Sequence, residues 1–466
     1  MNQTKHPIMW LKNGITALAI AGLYSIILVI LRTPQLSHFF TDKSMFKSSL
    51  VIHVNLSVLV WLLSITCIIW SYSRIKSGFE PMFAMIAFVG MAFMAFSPLY
   101  PESVPVMNNY VPMLENIFFV IGLALFGVSV LLLACQAIIT TFMGKRASNY
   151  GERIIAIAKF TSAIMFVAVW GCFGLSFRGL DRLAQIVPLD IDFYYEMLFW
   201  SGGHLLQFIY TQMLMVVLLV LAEVWKGGRV RYGNVYEMLL ALNFVLGLLV
   251  FFGHYRYDLA DGSFKEFFTL HMIYTAGVVP TIFIATLLLE LIKGRSSSVP
   301  KFIPYAFLSS ILLFLSGGAI GAVISGINVT IPAHYHGSIV GISVAFMGLS
   351  YIYCFRGIVQ NGLEYKDGVI ELMMGDNNPV IQKKNTGLRL VVWQLGMITA
   401  GQILHVAGLA MAGGYGVLRK TPGGDIALSA KVYMGMVGGG GLIAIIGGLI
   451  FVYICAKNLY SNKKQS

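Results

Sequence analysis

A chain of 466 residues that is 58% hydrophobic and only 11% charged is not a water-soluble globule, because soluble domains carry about 25% charged residues. Its net charge of +12 invites a nucleic-acid reading, but the basic residues are scattered through short segments between apolar runs, the ordinary membrane pattern, and no nucleic-acid partner is expected. Cys67, Cys135, Cys172, Cys354 and Cys455 all fall inside apolar runs without metal-ligand or cofactor-attachment spacing, and read as packing residues.

A helix needs about 20 apolar residues to cross the hydrocarbon core. Such runs recur at roughly 12–32, 48–71, 81–100, 114–141, 155–177, 195–224, 235–255, 266–292, 302–326, 335–356, 388–412 and 430–456. The expectation is an all-α, twelve-helix transmembrane bundle forming one integral membrane domain over 1–466. The first run has no small-residue cleavage site after it and reads as a retained helix rather than a signal peptide. An even number of spans puts both termini on one side. The loops on that side carry Arg74, Lys76, Lys145, Arg146, Lys226, Arg229, Arg231, Lys293, Arg295, Lys383 and Lys384, so the positive-inside rule makes both termini cytoplasmic, in a cell inner membrane contacting lipid. Residues 357–386, of mixed charge and with Gly362, Gly375 and Pro379, read as a solvated connector. Gly435, Gly438, Gly439, Gly440, Gly441, Gly447 and Gly448 make the last span a close-packing surface.

With alternating spans, His53, His204, His254, His271, His334, His336 and His405 all fall in the outer layer, on six helices. A single histidine at a helix end is cheaply solvated at the interface. Seven in one layer are not so explained, since ionisable groups in spans are costly and mark functional interiors, and neutral imidazole is the commonest protein metal ligand and an axial ligand of haem. Within Ala333-His334-Tyr335-His336-Gly337, residues two apart point roughly 200° from each other on a helix. They do not readily ligate one metal, but can each ligate a different one on opposite faces of the tenth span.

This pattern resembles subunit I of the haem-copper oxidoreductase superfamily, which includes cytochrome c oxidases, quinol oxidases and nitric oxide reductases, over nearly the whole chain. The resemblance implies two haems: one between His53 and His336, the other on His334. It implies a copper or non-haem iron facing the second haem, with His204 in Trp200-Ser201-Gly202-Gly203-His204 and His254 in Phe252-Gly253-His254-Tyr255 as ligands. Arg419 and Lys420 resemble the basic pair that holds haem propionates, and His405 a histidine that ligates no metal. The implied function is a respiratory terminal oxidase, taking electrons from a partner subunit, cytochrome c or quinol, and reducing dioxygen.

Three departures fall at the second metal. The family's second adjacent histidine is here Tyr255, and His271 stands 17 residues after His254 as a substitute ligand or a hydrogen-bonding neighbour. Phe208 stands where many oxidases have a tyrosine, and Gln207 is the nearest polar residue where nitric oxide reductases tend to carry glutamate. A nitric oxide reductase, and a non-catalytic haem electron carrier or gas sensor without the second metal, are therefore the alternatives. A transporter with an unrelated histidine layer is a further one. Glu115, Glu237 and Glu290 are acidic residues of the helices that no channel motif joins into a proton path.

Overall fold

The computed structural model describes residues 5–32, 44–72, 78–100, 103–144, 146–296, 299–324, 326, 328–355, 387–417 and 428–460. The 357–386 connector lies outside them, as do Arg419 and Lys420. Among the described residues there are twelve helices long and apolar enough to cross a membrane: α1 (Pro7–Leu31), α2 (Met45–Trp70), α3 (Glu80–Leu99), α4 (Ile117–Phe142), α5 (Tyr150–Ala184), α6 (Ile191–Lys226), α7 (Gly233–Arg256), α8 (Gly262–Lys293), α9 (Phe302–Ala322), α10 (Thr330–Cys354), α11 (Leu388–Gly414) and α12 (Lys431–Leu459).

Their termini carry local signals. Asn116, Asn149 and Asp190 each accept a hydrogen bond from a backbone N–H of the first turn of α4, α5 and α6, satisfying donors that have no partner within the helix. Gly227 ends α6 at φ 78°, the left-handed conformation for which glycine is the usual residue. Two helices are not regular. A π-helical turn, Asn55–Val60, interrupts α2 just after His53, and another, Met272–Ala276, interrupts α8 just after His271.

The bundle is organised around α6, which packs against α2, α5, α7, α8, α9 and α10 and is the most buried span. Neighbouring spans pair tightly where glycine removes the side chain. A Cβ at Gly90 would lie 2.6 Å from the Gly122 carbonyl oxygen, joining α3 to α4, and one at Gly317 would lie 2.2 Å from the Ser338 nitrogen, joining α9 to α10. Buried tryptophans tie the layers together: Trp61 on α2 meets Phe346 of α10 and Phe451 of α12 edge-on, and its indole N–H donates to Ser343 Oγ at 3.3 Å.

Between α3 and α4 a two-stranded antiparallel hairpin, β1 (Val104–Val106) and β2 (Met113–Glu115), pairs Val104 with Glu115 and Val106 with Met113. The run expected to begin at residue 114 therefore starts as strand, and the helix begins only after the Asn116 cap. The turn of this hairpin, residues 107–112, reaches the histidine layer.

Candidate two-haem site

A cavity of about 2120 Å³ extends along both sides of α10, more than twice the roughly 300–1000 Å³ of a drug-sized ligand site. On one side its walls come from α1, α2, α11 and α12, with His53, His336 and His405. On the other they come from α6, α8 and α9, with His204 and His334. The paired histidines of α10 divide as the helical rotation requires. His334 lies against α9, where a Cβ at Gly321 would come within 2.5 Å of its Nδ1. His336 faces α11, its ring centroid 4.7 Å from that of His405.

The hydrogen bonds of these imidazoles fix their tautomers. A backbone carbonyl only accepts, so the ring nitrogen bonded to it carries the proton. Nδ1 is that nitrogen in His53 (to Ala21 O, 3.0 Å), His334 (to Gly317 O, 2.7 Å), His336 (to Pro332 O, 2.8 Å) and His405 (to Val437 O, 2.8 Å). In the neutral ring Nε2 then holds the lone pair, the form that ligates iron, and the carbonyl bond locks the ring's orientation.

Glycines on α1, α9 and α12 widen the cavity. Gly22, Gly318, Gly435, Gly438 and Gly439 line it, and a Cβ built on any of them meets nothing within 4 Å. The residues lining the cavity fit two haems: His53 and His336 could hold one and His334 the other, with His405 beside His336.

The residues expected at the second metal do not fit one. His204 is buried, with Nδ1 donating to Trp200 O at 2.7 Å, which leaves Nε2 to accept; that nitrogen is 3.0 Å from the Tyr110 hydroxyl, whose proton it takes. His254 places its Nε2 2.8 Å from Ser201 Oγ, one turn before His204 on α6. Phe268 packs on both imidazoles, at 5.0 Å from the His204 ring and 6.4 Å from that of His254. His271 donates Nε2–H to Leu246 O at 2.8 Å and is stacked by Phe208 and Phe267, its Nδ1 buried without a hydrogen-bond partner. Neither His254 nor His271 lines the cavity. Tyr255 is 87% exposed; one residue's rotation, about 100°, carries it off the face of α7 that His254 presents to α6. Among the described residues no group of three or more His, Cys, Asp or Glu side chains is placed to hold a metal ion. Of the residues expected there, His204 and His254 are engaged imidazoles, His271 is buried elsewhere and Tyr255 is an outward phenol.

Sequence reasoning missed Tyr110, Ser201 and Phe268. Tyr110 lies 94 positions from His204, and the one local signal was Gly202-Gly203 beside the histidine, which announces a close approach. Glu290 is buried, paired with Lys226 at 2.5 Å, and accepts the backbone N–H groups of Arg231 and Tyr232. Glu237 pairs with Arg153 at 3.0 Å.

Residues 7–450 match the family described as cytochrome c and quinol oxidase polypeptide I. The chain is also 40% identical to "Uncharacterized protein RP382" of Rickettsia prowazekii (strain Madrid E), over 97% of this chain and 95% of that one. It is 26% identical to an "Uncharacterized protein" of Aquifex aeolicus (strain VF5), over 74% of this chain and 84% of that one.

Proposed function

Because this chain belongs to the cytochrome c and quinol oxidase polypeptide I family, we propose that it is the haem-carrying subunit of a respiratory oxidoreductase whose gas substrate is dioxygen. Bound haem would supply the redox chemistry, with electrons entering at the lobe of His53 and His336 and reaching the gas at the lobe of His334. The observation that carries this reading is the set of three imidazoles, each with Nδ1 bonded to a carbonyl, around one cavity that α10 divides.

The chain's own residues bind, orient and exclude water. Ala21, Gly317 and Pro332 carbonyls hold the ligating rings in one tautomer. A single helix carries His334 and His336, so the separation of the two lobes is set by a rigid element rather than by a loop. The apolar walls of α1, α9 and α12 keep the cavity dry. The donor would be an electron-carrying subunit, cytochrome c or quinol, and the basic loops favour both termini on the cytoplasmic face of an inner membrane.

A second reading, a haem electron carrier or gas sensor without a second metal, is favoured by the hydrogen bond that occupies His204. Nitric oxide reduction is the third outcome on the same framework. A purified chain with its haems, given reductant, distinguishes them: dioxygen uptake supports the first reading, nitric oxide uptake alone the third, and reducible haems with neither uptake the second. A protein that takes up no haem, shown by the lack of a reduced-minus-oxidised difference band, overturns all three.

A further inference from the structure

The turn of the hairpin is pressed onto α6 at a point where α6 has no side chain. A Cβ at Gly203 would lie 2.1 Å from Cγ of Tyr110, so glycine there is what admits the phenol ring beside His204. The turn is anchored on several sides. Asn109 donates its backbone N–H and its Nδ2 to the Glu196 carboxylate at 2.9 and 2.5 Å. Asn55 Nδ2 donates to Pro112 O at 2.7 Å, and Asn108 Oδ1 accepts from the backbone nitrogens of Tyr110 and Val111. Trp200 meets the Tyr110 ring edge-on at 5.9 Å. A turn that only covered the end of the bundle would need none of this; a donor that must be held at one place needs all of it.

We propose that Tyr110, held by His204, occupies the place of a second metal ion and is the hydrogen-bond donor to a diatomic gas bound in the lobe of His334. The inference rests on the two-haem reading above. Tyr110, His204 and His334 line the same cavity. With Nδ1 of His204 committed to the Trp200 carbonyl, Nε2 is an acceptor and has no metal-binding lone pair to spare while Tyr110 is in place. A hydroxyl proton turns about its C–O bond, so the one phenolic proton is shared between His204 in the resting protein and the polarised outer atom of the gas once it binds. Burial, with the charge of Glu196 added, pushes the pKa of Tyr110 up, and the phenol keeps its proton over the working pH range. Donors in the pocket facing a haem decide whether a gas is held, activated or released, and a donor in a low-dielectric cavity is stronger than in water.

The test uses the full chain carrying its haems. Metal quantification is expected to give two irons per chain, both in haem, with no copper and no further iron. In the reduced protein under carbon monoxide, Tyr110→Phe moves the infrared stretch of bound carbon monoxide to higher frequency, and nitric oxide dissociates about fivefold faster, the loss of one hydrogen bond. The absorbance band of the haem between His53 and His336 is unchanged and serves as the folding control. Gly203→Ala, which pushes the phenol off α6 without removing it, reproduces the shift should Tyr110→Phe fail to fold. His204→Gln leaves metal content unchanged. One copper or non-haem iron per two haems in the wild type, lost in His204→Gln, overturns the proposal, as does a carbon monoxide stretch that ignores both Tyr110→Phe and Gly203→Ala. A chain without haem would instead sink the functional reading beneath it.

Discussion

The two sides of α10 start from the same material, histidines on membrane-spanning helices, and end differently. On the side of His53 and His336, and at His334 itself, each imidazole gives its Nδ1 proton to a main-chain carbonyl and lines one cavity that glycines widen. Around His204, His254 and His271 the imidazoles are engaged by a phenol, a serine and a carbonyl, among Phe208, Phe264, Phe267 and Phe268. To hold a metal, a histidine needs one ring nitrogen satisfied by the fold and space at the other, which the phenyl rings around His204, His254 and His271 restrict.

The largest effect that tests this contrast is on haem content. His53→Ala and His334→Ala are each expected to lower haem from two per chain to one, measured against protein, while His254→Ala leaves both haem and total metal unchanged. Equal losses from all three would erase the distinction between the two regions. At the other end of the bundle, Lys226→Met strands the buried Glu290 carboxylate and costs about 3 kcal/mol, as breaking a buried ion pair does, with the haem bands of the folded fraction unaltered; denaturation in detergent reads it. Gly317→Ala forces α9 from α10, at about 1–3 kcal/mol of overpacking, and shifts the absorbance of the His334 haem. Gly90→Ala, with a comparable clash between α3 and α4, costs a similar amount without that shift, and a spectral change there would mean that the lobes are not locally controlled. The smallest effect is Arg153→Ala, under about 1 kcal/mol, because the Arg153 side chain is 42% exposed and solvent screens the pair.

The spans were legible because the length of an apolar run is a local property. Their ends were less so. The helix of α5 runs from Tyr150 to Ala184, beyond the 155–177 read from its sequence, since Arg153, Arg178 and Arg182 look like a boundary although a helix continues through the headgroup region. The hairpin escaped because strands of three residues are too short to show a period of two. At the site, the His334–His336 pair was readable as a rotation about one helix, and its opposite faces follow from that alone. The fate of His204 was not readable: Tyr110 comes from a turn between other helices, and contacts made across 94 positions leave no periodic trace. His271 shows the limit from the other direction, since matching a residue type to a position says nothing of whether phenyl rings have already filled the space, and Tyr255 is turned outward by one residue's rotation.

The two π-helical turns have a consequence for how such a site tolerates change in chain length. Asn55–Val60 and Met272–Ala276 each follow a histidine, and each holds a residue more than a regular turn would. Were the same residues of Asn55–Val60 wound as regular α-helix, the half bearing His53 would turn by about 100° relative to the half bearing Trp61, whereas deleting one residue there would straighten the turn and leave both halves facing nearly as they do. The π turn is thus an angular spacer: it allows the outer half of α2 to be aimed at the cavity while the inner half keeps its own packing partners.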